Sequence, residues 1–186
     1  IYLSSNMEFF TPKLTDEIFS SDLGDTLLYV ICSLDGASPD IHRQNRINVD
    51  FNKAVQNTEY LIEAKKKNKA NYPWIFTRLL ENESNISHTN QFIDKWKNHA
   101  DKVLISKMHN WGGQIDDSKI YQSKEIFSSK CFFPFSQAFI QIDGSVRICC
   151  LDVNGKNIFG DLKESSIEEV WSNFEFKQLR HNFLEG

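Results

Sequence analysis

Residues 26–36 read Thr-Leu-Leu-Tyr-Val-Ile-Cys-Ser-Leu-Asp-Gly, nine residues without a charge that end at Asp35-Gly36. An apolar run without polar alternation suits a parallel strand covered on both faces. Residues 1–5, 74–80 and 102–108 are similar segments and are read as three more strands. Between them the period changes to that of a helix. Phe51, Ala54, Val55, Thr58, Leu61 and Ile62 share one helical face, with Asp50 as N-cap and Asn68 near the stop, which predicts a helix over 51–67. A second helix over 87–99 collects Phe92, Ile93, Trp96 and Ala100 on one side, and a shorter one starts near Leu14. Alternating strands and helices are the signature of right-handed parallel units. Three and a half such units fall short of the roughly 250 residues of a closed eight-stranded barrel. The expected fold is therefore α/β, the second half of a partial (β/α) barrel, over residues 1–112.

Composition narrows the function classes. With 40% hydrophobic residues the 186-residue chain can bury a core, so disorder is excluded. A net charge of -4 with interspersed signs gives no basic surface for a phosphate backbone, so nucleic acid is not an expected partner. The lysines from Lys65 to Lys69 close the 51–67 helix, where they complement the negative end of its dipole. No apolar stretch approaches the roughly 20 residues that span a bilayer, and no secretory leader is visible. The expectation is a cytoplasmic protein without membrane contact. The opening Ile-Tyr-Leu lies inside an apolar run and lacks Met, which predicts a fragment of a longer chain. An open half barrel leaves strand edges that invite self-association.

After Trp111-Gly112-Gly113 the pattern becomes a polar linker, 113–130, and then a small α+β region, 131–186, built on an antiparallel hairpin. Residues 138–142 and 145–150 are its strands, and Asp143-Gly144 is read as a two-residue turn. That register sets Cys149 opposite Ala138, and a short excursion would bring Cys131 alongside. Cys149 and Cys150, as neighbours on a strand, are expected to point to opposite faces and so not to share one metal centre. Without secretory context the four cysteines favour metal or thiol chemistry over disulfides. A disulfide, a zinc site and inert buried thiols stay open as alternatives. Two thiolates do not complete a four-cysteine site, so the remaining ligands are expected outside this chain. Cys32, alone in an apolar strand, is read as core packing. A capping box at Ser165 or Ser166 with Glu168 or Glu169 opens a last helix with Ile167, Val170, Trp171 and Phe174 facing inward.

The spacing Cys131-x12-Gly144-x4-Cys149, with Phe133-Pro134, Asp143-Gly144-Ser145-Val146, Gly160-Asp161-Leu162 and Ser166-Ile167-Glu168-Glu169-Val170-Trp171, resembles a SPASM or twitch domain. The resemblance implies that Cys131 and Cys149 ligate an auxiliary four-iron four-sulfur cluster and that Cys150 is spare. Ser33-Leu34-Asp35-Gly36, followed by Ile41-His42 and Arg46, resembles the middle of radical S-adenosylmethionine enzymes that carry such domains. This implies that Ser33 and Arg46 contact the amino-acid end of S-adenosylmethionine, and a guanidinium suits a carboxylate. Ser5-Asn6 resembles a Thr-Asn-Gly element of that family, with Met7 in place of the glycine, and assigns Asn6 as a further cofactor contact.

The Cys-x3-Cys-x2-Cys spacing of these enzymes is absent from these residues, so the intact parent is the expected enzyme and this piece alone is expected to be inactive. The resemblance implies a peptide or a small molecule as substrate. The rival reading is a non-catalytic binding module whose cysteine hairpin holds structural zinc or no metal. Independently of family, polar groups at strand carboxyl ends are candidates in a parallel barrel, here Asn6, Ser33, Asp35, Arg78, Lys107, His109 and Asn110. His42 and the glutamates near it are read as exposed loop residues.

Overall fold

In the computed structural model, β1 (Tyr2–Ser5), β2 (Tyr29–Ser33), β3 (Trp74–Glu81) and β4 (Lys102–Lys107) form one parallel sheet in the order β1-β2-β3-β4. The structure describes residues 1–108, 110–111 and 131–185; the 113–130 linker and His109 lie outside them. Between the strands run α1 (Pro12–Ser20), α2 (Leu23–Thr26), α3 (Pro39–Asn45), α4 (Phe51–Lys67) and α5 (Thr89–Trp96). The N-cap logic of α4 holds at both ends: the Asp50 side chain accepts from the Lys53 N–H, and Asn68 closes the helix with its N–H on the Ala64 carbonyl. Lys65 does more than complement the dipole, because its ammonium pairs with Asp101 at 2.8 Å. The chain divides into two compact units, Ile1–Met108 and His109–Gly186.

The sheet packs one face against helices. Val30 and Cys32 of β2 with Ile75 and Leu79 of β3 meet Ile18, Leu61, Ile62, Phe92 and Trp96 in a single buried cluster. Cys32 is fully buried there, and desolvation pushes its thiol pKa up to about 12, the state of an inert core thiol. The expected cover on both faces is not found among the described residues. Strand residues alternate, so Tyr29, Ile31, Phe76 and Leu80 fall on the other face and stay half-buried. There Tyr2 stacks on Tyr29 at 5.0 Å and Tyr29 on Phe76 at 5.4 Å, a row of rings that shields its own members.

Two boundaries differ from the sequence reading. Thr26, expected to open the second strand, instead ends the helical turn α2, which is closed by the Leu27 N–H on the Leu23 carbonyl, and β2 starts at Tyr29. The 87–99 helix is shorter: a 3₁₀ turn, Ile86–His88, leads into α5, which ends at Trp96. His42 is also not a loop residue. It lies in α3, fully buried, with Nδ1 hydrogen-bonded to the Leu34 carbonyl and its ring 5.2 Å from that of Phe51.

The second unit contains α6 (Phe133–Ser136), an antiparallel sheet of β5 (Phe139–Ile140), β6 (Ser145–Arg147) and β7 (Ile158–Asp161), then α7 (Ile167–Trp171) and α8 (Phe174–Glu185). The hairpin exists, but its turn has three residues. Phe139 pairs with Arg147 and Ile140 with Val146, and the Gly144 N–H bonds the Gln141 carbonyl. Gly144 at φ +89° supplies the left-handed residue that ends such a turn. The register is therefore one residue from the expected one, and Ala138 does not face Cys149. The capping box is Ser166 with Glu169, both bonds present. Val170 packs so close to Gly160 that a Cβ there would lie 2.5 Å from a valine methyl. Phe174 is exposed; Phe176 takes the core position with Val146 and Val170, because α7 stops at Trp171 and a new helix begins.

Candidate functional site

The carboxyl ends of the parallel strands carry a connected polar set. Ser33 is opposite Arg78 in the β2–β3 ladder, and Arg78 Nη2 donates to Ser33 Oγ at 2.8 Å. Asp35, two residues on, is buried and adopts φ +49°. Its Oδ2 accepts from Arg46 Nε at 2.7 Å and Nη2 at 2.6 Å, while Oδ1 accepts from the Leu80 N–H at 2.7 Å. One carboxylate thus ties the end of β2 to the end of β3 and fixes the guanidinium that caps α3. Arg46 keeps about a third of its side chain exposed, with Nη1 outside the Asp35 pair. A partly exposed guanidinium held from behind can offer its remaining N–H groups to an anion.

Asn6 follows β1. Its Oδ1 accepts from the Glu8 N–H at 3.1 Å, and Ser5 Oγ accepts from the Met7 N–H at 3.0 Å. Met7 has φ +67° with its side chain fully buried. A non-glycine residue thus occupies a left-handed backbone position after β1. Asn57 of α4 holds the loop by donating to the Met7 and Glu8 carbonyls at 2.7 and 3.2 Å. Ser33 and Arg46 are joined only through neighbours, and no contact between Asn6 and either of them is recorded among the described residues.

The thiols lie in the second unit. Cys131 is exposed, two residues before α6, and Cys149 and Cys150 follow β6. Because β6 ends at Arg147, the expectation that the two adjacent cysteines alternate across a strand does not apply. Cys149 and Cys131 both lie within electrostatic reach of Cys150. Desolvation raises the Cys150 thiol pKa, and the adjacent Cys149 raises it further. The Leu151 N–H donates to Cys149 Sγ at 3.4 Å. Cys131 and Cys150 are exposed and Cys149 is half-buried, all three as free thiols, the side-chain type that a thiophilic metal takes. No three His, Cys, Asp or Glu side chains converge as a complete metal site among the described residues, so two thiolates contribute half of a four-cysteine set at most.

The loop after the thiols is built around Asp152. Its carboxylate accepts from the Lys156 and Asn157 N–H groups at 3.0 and 2.8 Å. Desolvation raises its pKa, but those bonds and the charge of Arg147 outweigh it, so the net shift is downward. Arg147 donates to the Asp152 and Val153 carbonyls at 2.6 and 3.1 Å. Sequence reasoning singled out Asp35, Arg46 and Arg78 without pairing them. Opposite charges at the ends of β2 and α3 were the available signal. The expected alternation of Cys149 and Cys150 fails because the strand was read as running to Cys150, whereas β6 ends at Arg147.

Residues 131–185 match the SPASM family, an iron-sulfur cluster-binding domain. Over 88 residues the chain is 33% identical to the S-adenosyl-L-methionine-dependent 2-deoxy-scyllo-inosamine dehydrogenase of Niallia circulans, an alignment covering 47% of this chain and 32% of that protein. An uncharacterized protein of Treponema pallidum (strain Nichols) is 24% identical over 110 residues, covering 59% of this chain and 30% of that one. The chain thus spans about a third of the curated relatives it matches. Among solved structures, anSMEcpe with bound AdoMet superposes with a TM-score of 0.63 at 14% identity, over 95% of this chain and 55% of that one. BtrN in complex with AdoMet and 2-DOIA superposes with a TM-score of 0.53 at 16% identity, over all of this chain and 67% of that one. At these identities the two structures speak for the fold alone. No helix among the described residues is long and apolar enough to cross a membrane.

Proposed function

The chain is related to the radical S-adenosylmethionine enzymes and carries a SPASM iron-sulfur cluster-binding domain, and from that premise we propose that Cys131 and Cys149 provide two thiolates to an auxiliary four-iron four-sulfur cluster of such an enzyme. The observation that carries the reading is the pair of free thiols inside the matched residues, Cys131 exposed before α6 and Cys149 half-buried just after β6. An iron-sulfur cluster supplies one-electron transfer or a Lewis-acid iron when bound. The chain's own part is to present thiolates, aided by the Leu151 N–H directed at Cys149 Sγ. Hydrogen bonds to ligating sulfur tune such centres. Cys150 stays outside the ligand pair in this reading, on the strength of the glycine-x4-cysteine spacing.

In the same reading residues 1–112 are the second half of the catalytic barrel, 113–130 a linker and 131–186 the start of the auxiliary domain. Ser33 and Arg46 contact the amino-acid end of S-adenosylmethionine, and Asn6 is a further contact of that cofactor. Arg46 is suited to that role because Asp35 presents it from behind and leaves N–H groups free. The substrate is a peptide or a small molecule modified by radical chemistry. Two solved relatives in fold are complexes with AdoMet plus, respectively, the Cp18Cys peptide and 2-DOIA.

Anaerobic reconstitution of the full-length protein with iron and sulfide tests the ligand assignment. Cys131→Ala and Cys149→Ala should each lower bound iron by about four atoms per chain, the content of one cubane cluster, while Cys150→Ala should largely retain it. Tightly bound zinc without iron would turn the reading toward a non-catalytic zinc module, and equal iron loss from Cys149→Ala and Cys150→Ala would overturn the choice of Cys149.

A further inference from the structure

The segment that bears Cys131 has little packing of its own. In the helical turn that follows it, α6, Pro134 is the one buried residue, while Phe132 and Phe133 are exposed. A thiolate on so short a stretch would wander by more than a metal-sulfur bond tolerates unless something outside the segment fixed it. Arg180, on the last helix, reaches back 46 residues to do so. Its Nε donates to the Pro134 carbonyl at 2.8 Å and its Nη1 donates to the Trp171 carbonyl at 2.8 Å. The same guanidinium lies over the Trp171 ring at 4.1 Å and the Phe176 ring at 4.9 Å. One planar group therefore joins α6, the end of α7 and the core of the unit. Its charge meets carbonyls and ring faces, and no ion pair of Arg180 is recorded among the described residues.

We propose that Arg180 is a positioning residue for the iron-sulfur site, clamping the Cys131 segment to the Trp171–Phe176 core so that the Cys131 thiolate is held at a fixed place relative to Cys149. The inference rests on the reading of Cys131 as a ligand. Cys149 has its own clamp, because Arg147 pins the loop that follows it through the Asp152 and Val153 carbonyls, with Gly155 leaving room for the guanidinium. Each thiol segment is thus fixed by a guanidinium bound to backbone carbonyls. A lysine in place of Arg180 would keep the charge and most of the length but lose the planar fork that serves two carbonyls while stacking on a ring.

The test uses the full-length protein reconstituted with iron and sulfide, in four forms: wild type, Arg180→Lys, Arg180→Ala and Cys131→Ala. Iron release to a chelator and the electron paramagnetic resonance spectrum of the reduced clusters are read on the folded fraction. Outer-shell partners of metal ligands typically alter metal affinity by about 10- to 100-fold, so both Arg180 variants should release auxiliary-cluster iron at least about tenfold faster, with an altered auxiliary-cluster spectrum. A purely structural role would lower the yield or the melting temperature and leave release and spectrum of the folded fraction as in wild type; that result overturns the proposal. If Arg180→Ala does not fold, Arg180→Lys decides by the same two readouts. Cys131→Ala separates the levels. Iron loss there with wild-type behaviour of the Arg180 variants defeats the clamp alone, whereas full iron retention in Cys131→Ala defeats the ligand assignment and the clamp with it.

Discussion

Asp35 and Met7 are the two non-glycine residues at the strand ends whose backbone is left-handed, and in each the side chain compensates. The Asp35 carboxylate accepts from the Arg46 guanidinium and the Leu80 N–H, so the strained turn is held by three hydrogen bonds from two partners. Asp35→Asn keeps the shape and loses the charge, and hydrogen bonds to charged groups contribute about 1.5–3 kcal/mol. Denaturant unfolding should show a loss of that size, and Arg46→Ala should cost less because its guanidinium is partly in water. Met7 presents two opposed effects. Removing its buried side chain costs about 2–5 kcal/mol, while relieving a left-handed non-glycine backbone returns about 1–2 kcal/mol. Met7→Gly should therefore destabilise by up to about 4 kcal/mol, the difference between the two effects. A stabilised Met7→Gly variant would show that burial of Met7 matters less than its backbone strain.

Among the elements, α7 is the one whose boundary depends most on side-chain caps. It spans five residues, too short to persist by propensity, and the Ser166–Glu169 box satisfies its first turn. Ser166→Ala should cost about 1 kcal/mol, seen in thermal unfolding of the full chain. Glu169 adds a pH signature. The Ser166 N–H bonds its carboxylate and, with the Ser166 hydroxyl, holds its pKa below the usual 4.5. A depressed carboxylate stabilises the folded state fully above the unfolded pKa, and the contribution is lost as pH falls through the folded value. Stability should thus decline below about pH 4.5, and Glu169→Gln should flatten that part of the profile. The Asp152 loop should respond in the same direction, since its carboxyl is also depressed. An unchanged slope in Glu169→Gln would remove the box from the acid limb.

At the level of the molecule, β1 and β4 each have one sheet partner among the described residues, and the sheet face opposite the helices carries exposed aromatic surface. Tyr2 is 60% exposed and Trp74 51%. Unpaired edges beside an apolar face promote association between copies. Sedimentation of the 186-residue chain should show mass rising with concentration, and Tyr2→Lys on the β1 edge should reduce it. A strictly monomeric chain at high concentration would mean that the edge is blunted by its own twist or charges.

The helices with a clean 3.6-residue period were legible in the sequence, as were the four parallel strands and the family of the cysteine hairpin, because each depends on local pattern or spacing. Asp50, Asn68 and the capping box were identified by type and position because a helix terminus is satisfied by residues within a few positions of it. The polar contacts of the strand ends were not legible as pairs. Asp35 to Leu80 and Arg180 to Pro134 join residues about 45 apart, and no local rule selects such partners. The hairpin register escaped for a smaller reason: Asp-Gly serves both a two-residue turn and a three-residue turn ending in left-handed glycine, and the choice depends on how β5 and β6 pack on β7 and α7. What the sequence by itself determined was which segments form helices and strands and which residue types could bind metal or anion. The tertiary structure alone decided which of those side chains meet, because that depends on the packing of distant segments into one core, where a one-residue shift reassigns every contact.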